Sequence, residues 1–286
     1  MLVNTEKKIL IVGLGLIGGG YARALHKTGF TIYAIDNNPD SIKYALEQEI
    51  IDKGSSDIDK ELIGDADIVI FALYPKIFKS WIADNQKYFK SGSYITDVTG
   101  VKGFIVRDIQ AILRDDVEFI ASHPMAGREL SGVENSDDSV FYGANYIIVP
   151  TEKNTREAID ICREIGLIMH FGRISVLSPE EHDEMIGFVS QLTHCIAISL
   201  MNCSDDDKLV DYVGDSFRDL TRIARINENM WTELFLLNKE CLLREMDKFI
   251  DEISDLRDKL ANDDSDALKE KMIVSTKRRA KFDKRK

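Results

Sequence analysis

Seven consecutive residues, His123-Pro124-Met125-Ala126-Gly127-Arg128-Glu129, set an imidazole, a guanidinium and a carboxylate side by side. Histidine is the side chain best suited to moving a proton near neutral pH. Glu129 is suited to orienting Arg or His groups rather than touching an anion itself. Proline and glycine sit poorly inside helices and strands. The apolar run Val117-Glu118-Phe119-Ile120-Ala121 that leads into the cluster reads as a strand. The cluster is therefore expected in the loop leaving that strand, where open α/β sheets bind ligands. A surface turn with incidental charges is the alternative.

A second pattern bears on the cofactor. The apolar run Lys8-Ile9-Leu10-Ile11-Val12 enters Gly13-Leu14-Gly15-Leu16-Ile17-Gly18 and then a helical segment. Such a loop turns tightly, lets the backbone approach a pyrophosphate and presents a helix N-terminus to it. Gly13, Gly15, Leu16, Ile17 and Gly18 are the expected cofactor contacts. The next apolar run, Phe30 to Ile35, ends at Asp36, placed to accept both ribose hydroxyls. Asp36 would repel a 2′-phosphate, and Asn37-Asn38 supply no arginine to bind one. The expected cofactor is NAD rather than NADP.

These groups need a scaffold. Further strand patterns fall at Ile68–Ala72, Ser93–Asp97, Asn145–Val149 and, briefly, Ile168-Met169-His170-Phe171, with helical stretches between the early ones. Alternating strands and helices imply a doubly wound parallel sheet. Ser178-Pro179-Glu180-Glu181 then signals a helix start, and no strand pattern follows. The expected fold is α/β: a Rossmann-type NAD-binding domain over 1–175, then an all-helical domain over 176–286 for substrate binding and dimerisation, with a basic tail. Leu242, Met246, Phe249, Ile253, Leu256 and Leu260 form a coiled-coil-like seam suited to a homodimer. A helix packing within its own domain would show the same seam.

The chain has 286 residues and a net charge of −12. Residues 267–286 hold nine Lys or Arg against two Asp or Glu, a net of +7, so the remainder carries −19. An acidic body argues against a nucleic-acid partner, and the basic end reads as a solvated, frayed terminus. The four cysteines form no metal-like pairs, so no metal is expected. No signal peptide and no apolar stretch of membrane length are read here. A cytoplasmic, reduced protein with a small-molecule substrate and no membrane partner is expected.

Together these residues resemble the prephenate/arogenate dehydrogenase family of tyrosine biosynthesis, over nearly the whole chain. The loop Gly13 to Gly19 is similar to that family's nucleotide loop, and His123-Pro124-Met125-Ala126-Gly127 to its signature. Asp97-Val98-Thr99-Gly100-Val101-Lys102 resembles its motif after the fourth strand, and Ser190-Gln191-Leu192-Thr193-His194 its helical-domain motif. Phe217-Arg218-Asp219-Leu220-Thr221-Arg222-Ile223-Ala224, followed by Trp231, is again similar. The family's ACT and chorismate mutase domains are expected to be absent.

The resemblance implies NAD-dependent oxidative decarboxylation of prephenate to 4-hydroxyphenylpyruvate, with arogenate as the alternative substrate. It makes His123 the base, Arg222 the carboxylate grip, His194 a contact to the substrate side chain and Trp231 a pocket wall. An ion pair with Asp219 for Arg222, and a core role for Trp231, are the structural alternatives. His182 lies twelve residues before His194, about 120° away on an ideal helix, and ranks lower. Several positions depart from the family pattern. Gly100 stands where a serine often assists the histidine, Gln191 and Thr193 replace a common His and Pro, and Asp215-Ser216 replaces two glycines. Thr99 is expected to supply the missing hydroxyl, with Gly100 giving the backbone freedom to turn it toward the nicotinamide and His123, where it would hold His123 or the substrate's ring hydroxyl; an ordered water is the alternative.

Two rivals remain. A β-hydroxyacid dehydrogenase would use a lysine in the helical half, yet Ser178 to Cys203 contains none. A non-enzymatic NAD-sensing module would not need His123.

Overall fold

The computed structural model describes residues 2–128 and 130–282. Six parallel strands form the main sheet: β1 (Lys8–Val12), β2 (Thr31–Ile35), β3 (Lys53–Ser55), β4 (Ile68–Phe71), β5 (Tyr94–Asp97) and β6 (Glu118–Phe119), in the order β3-β2-β1-β4-β5-β6. Along β1, Ile9 and Ile11 enter the core on one face, and Leu10 and Val12 the core on the other. That is why the strand reads as an unbroken apolar run. The covering helices are α1 (Leu16–Lys27), α2 (Pro39–Glu47), α3 (Lys60–Asp65), α4 (Pro75–Asn85), α5 (Gly103–Ile112) and α6 (Arg156–Ile168).

A second, three-stranded sheet holds β7 (Ala121–Met125), β8 (Asn145–Val149) and β9 (Arg173–Val176), in the order β7-β8-β9. The chain breaks strand pairing at Ile120 and passes from β6 into β7. His123 therefore lies within a strand, opposite Ile147, and not in a loop as the Pro–Gly content suggests. Pro124 is tolerated because β7 is an edge strand, where a missing N–H breaks no ladder.

Other expectations also shift. The apolar run at 168–171 is no strand: it ends α6, and His170 turns the chain with φ +61° before β9. The weakly patterned β3 carries Gly54 and escapes sequence reading.

Beyond β9 the chain is helical: α7 (Pro179–Ile186), a π-helical stretch (Gly187–Leu192), α8 (Thr193–Asn202), α9 (Asp215–Thr221), α10 (Glu228–Leu237), α11 (Lys239–Ala261) and α12 (Ser265–Arg279). Ser178 caps α7 as expected, in a reciprocal box with Glu181 and with Pro179 in the first turn. The run Pro179–Asn202 is, contrary to expectation, long and apolar enough to cross a membrane by length and composition. Its polar residues Asp183 and Gln191 are buried and hydrogen-bonded to protein groups. That face is packed in the protein, while 28% of the apolar window is buried in all.

By packing, the chain falls into two compact units, one through Asn238 and one from Lys239. In the second, Lys271 of α12 bridges Glu252 and Asp255 of α11. Residues 277–279 belong to α12, so this part of the basic end is helical rather than frayed.

Candidate active site

The nucleotide loop has the geometry its glycines suggest. Gly13 sits at φ +97°, and a Cβ there would stand 2.6 Å from the Ala72 carbonyl oxygen. A Cβ on Gly18 would strike the Gly13 carbonyl oxygen. A Cβ on Gly15 would meet nothing within 4 Å, so the face open to a pyrophosphate is free of protein. No side chain caps α1 at Gly15, which leaves its first N–H groups for an anion. Leu16 and Ile17 form the first turn of that helix.

Asp36 follows the last residue of β2. One carboxylate oxygen accepts from the Leu14 N–H at 2.6 Å and the other from the Asn38 N–H at 2.8 Å. The acid that would meet the ribose is thus braced against the glycine loop. These residues fit NAD, which supplies a hydride acceptor when bound.

His123 is half-buried, with its Nδ1 2.9 Å from Nε2 of His182 on α7. His182 is fully buried, and its Nδ1 lies 2.7 Å from Oδ1 of Asp183. The Asp183 carboxylate accepts from the backbone N–H groups of Lys102 and Gly103, each at 2.8 Å. The 2.9 Å between the two rings leaves no room for a metal ion bridging those nitrogens. Burial first, then the His182 ring and the Lys102 charge, push the His123 imidazole well below its usual range, which keeps it neutral. Burial also lowers His182, against the opposing pull of Asp183.

Behind His123 lies a buried ion pair. Lys102 Nζ is 2.7 Å from Oδ2 of Asp97, with both side chains fully inaccessible. The ammonium also donates to the Ser122 carbonyl at 2.5 Å and to the Thr99 hydroxyl at 3.2 Å. The Thr99 hydroxyl donates to Asp97 and lies 3.1 Å from the Val101 carbonyl. Thr99 therefore orders the ion pair and does not reach His123 as expected. Gly100 is outside the positive-φ region, so its conformational freedom is not in use. A Cβ there would meet only Leu234, at 3.5 Å.

In the helical half, His194 on α8 stacks against Trp231 of α10, with ring centroids 3.6 Å apart. Trp231 in turn meets Phe235 at 5.4 Å. Arg222 is exposed at the end of α9, in a short 3-10 turn. Arg218 donates to the Val213 carbonyl. Gln191, which stands where the family commonly has a His, is buried and spent on structure. Its amide donates to the Leu234 carbonyl at 3.0 Å and accepts from Asn238 at 2.8 Å. Glu129 lies outside the described residues.

Sequence reasoning passed over Lys102 and Asp183 and set His182 aside. The His-Asp pair directly follows the capping box, on a helix that also carries Glu180, Glu181 and Glu184. The adjacency of an imidazole and a carboxylate was the available signal. The ideal-helix angle between His182 and His194 does not apply, because a π-helical stretch lies between them and changes the phase; His182 meets His123 and His194 meets Trp231.

The prephenate dehydrogenase nucleotide-binding domain family matches residues 21–169, and the prephenate dehydrogenase dimerization domain family matches residues 178–274. Prephenate dehydrogenase of Bacillus subtilis is 29% identical over 269 residues, covering 91% of this chain and 72% of its own. Cyclohexadienyl dehydrogenase of Zymomonas mobilis is 30% identical over 285 residues, covering 96% and 95%. The crystal structure of prephenate dehydrogenase from A. aeolicus with hydroxyphenyl propionate and NAD+ superposes with a TM-score of 0.89 at 30% identity, over 97% of this chain and 98% of that one. A 3-hydroxyisobutyrate dehydrogenase from Salmonella typhimurium shares only the fold, at a TM-score of 0.55 and 14% identity. With both halves matched in order, the chain belongs to the prephenate dehydrogenase family of NAD-dependent oxidoreductases.

Proposed function

We propose that this site oxidises and decarboxylates prephenate to 4-hydroxyphenylpyruvate, with His123 as the base. The carrying observation is a half-buried imidazole held neutral at the nucleotide-binding half and backed by His182 and Asp183. A neutral ring nitrogen can take the proton of the ring hydroxyl as hydride leaves the same carbon. The bond to the ring carboxylate then breaks, carbon dioxide departs, the electron pair enters the ring, and the ring oxygen takes the proton back from His123. Aromatisation drives the step forward. The substrate is a dianion in an acidic protein, so it needs a local cation. Arg222 is exposed and can grip a carboxylate in two parallel hydrogen bonds. The stacked His194 and Trp231 form the wall facing the substrate side chain. Arogenate differs from prephenate only there, which makes it the alternative substrate.

The nucleotide half is taken as residues 1–175 and the substrate half as 176–286, a division supported by the two family ranges. The protein works as a homodimer through its helical half. Met185, Phe188 and Val189 on the Pro179–Asn202 run, and Ile253, Leu256 and Leu260 on α11, are exposed apolar residues that a second copy would cover. All four cysteines are free, in keeping with a cytoplasmic protein.

Initial rates with prephenate and with arogenate, each with NAD and NADP, test the reading. Prephenate with NAD should turn over fastest. His123→Asn should lower kcat by about 10²–10⁴-fold with NAD affinity little changed. Failure of the parent protein to reduce NAD with either substrate would overturn the activity. A His123→Asn variant with parental kcat would overturn the base.

A further inference from the structure

We propose that His182 and Asp183 are positioning residues that fix the tautomer of His123, leaving its Nε2 bare as the proton acceptor. This rests on His123 as the base and supplies a positioning partner that the sequence sought in Thr99.

The direction of every bond follows from one fixed end. Both oxygens of Asp183 accept from backbone N–H groups, those of Lys102 and Gly103. Backbone donors cannot reverse, so the carboxylate is held as an acceptor. His182 Nδ1, 2.7 Å from Asp183 Oδ1, must then carry a hydrogen. In a neutral imidazole the other nitrogen is a lone pair. His182 Nε2 therefore accepts, and the group 2.9 Å away, His123 Nδ1, must donate. Neutral His123 is left with its lone pair on Nε2. A doubly protonated His182 would reverse this order, and its burial opposes that state.

In the reaction, the substrate hydroxyl proton moves to His123 Nε2 and returns to the ring oxygen once carbon dioxide has left, and no proton need move on His123 Nδ1 or His182. The imidazolium then points its Nδ1–H at the His182 lone pair, with the Asp183 charge behind. The titratable and charged groups packed around His123 are His182 and Asp183 from α7, Lys102 before α5 and Asp97 at the end of β5. Lys102 disfavours the imidazolium and Asp183 favours it through His182, so their removal should have opposite effects.

Nitrogen-15 spectra of the histidine rings read the tautomer in the unaltered protein, with His123→Asn assigning the signals. The expected result is a neutral His123 protonated on Nδ1 and bare on Nε2. Protonation on Nε2, or an averaged ring, would overturn the proposal. Asp183→Asn should lower kcat by about 10²–10⁴-fold, the scale seen when the carboxylate behind a catalytic imidazole is neutralised. NAD and prephenate KM should stay within about threefold, since substrate binding is untouched. The acidic limb of kcat/KM should move to lower pH, because a charge that stabilises the imidazolium is gone. A merely structural Asp183 would not move that limb, and an unmoved limb overturns the proposal. His182→Gln keeps an acceptor amide and should exceed His182→Leu in kcat by about tenfold or more; equal rates overturn the relay. If His123→Asn leaves kcat intact, the base reading fails, and the tautomer spectrum still decides the relay separately.

Discussion

Lys102→Met tests the buried ion pair. Methionine replaces the aliphatic stem at similar volume and removes the ammonium alone. Lys102 is fully inaccessible and holds Asp97 Oδ2, the Thr99 hydroxyl and the Ser122 carbonyl. Breaking a buried pair by removing one partner costs about 3–5 kcal/mol. Asp97 would keep donors from the Thr99 N–H at 3.0 Å, the Thr99 hydroxyl and the Ser122 N–H at 3.2 Å, which places the loss at the lower end, about 3 kcal/mol. For a chain of this size that is a fall in Tm of about 6–12 °C. A second effect has the opposite sign from Asp183→Asn. The Lys102 charge holds His123 down, so its removal raises the imidazole and moves the acidic limb of kcat/KM to higher pH. Urea unfolding and a pH–rate profile measure both. A stability loss below about 1 kcal/mol together with an unmoved acidic limb would refute the reasoning.

Two further outcomes are expected. Asp36→Ser with Asn37→Arg should shift cofactor preference toward NADP, since it removes the acid braced at the ribose position and adds a cation; comparable use of NADP by the parent would sink the Asp36 role. Arg222→Ala should raise the KM for prephenate far more than it changes kcat, because a carboxylate grip acts in ground and transition states alike; an unchanged KM returns Arg222 to a helix-surface role.

What the sequence disclosed was local. The glycine loop, its strand, its helix and Asp36 are consecutive or nearly so, and each obeys a short-range rule. The capping box at Ser178 is likewise complete within four residues. What it hid was long-range. His123 and His182 are 59 residues apart, and Lys102 and Asp183 81. No periodicity joins them. Pro124 pointed to a loop because sequence cannot say which strands are edges. Thr99 drew attention by its hydroxyl, yet that hydroxyl was already committed to Asp97, two residues back.

The edge strand explains why an ion pair is buried behind the base at all. In an antiparallel pair, the N–H and C=O of one residue point to the same side, and successive residues alternate. The Ser122 N–H meets Asp97 Oδ1, and the Ser122 carbonyl meets Lys102 Nζ. Both backbone groups thus face away from β8, toward the end of β5, with which β7 forms no ladder. The carboxylate accepts the N–H and the ammonium donates to the carbonyl, so Asp97 and Lys102 act together as a surrogate strand one residue long. Pro124, two residues on, turns the same way and has no N–H to satisfy there. His123 lies between them and faces β8, opposite Ile147. The residue before His123 is held by charges, its own backbone by a ladder and its ring by His182. A base on a strand pinned at three points can be placed more closely than one on a loop. The Pro that first suggested a loop is compatible with that placement because it sits on the side of β7 that has no ladder partner.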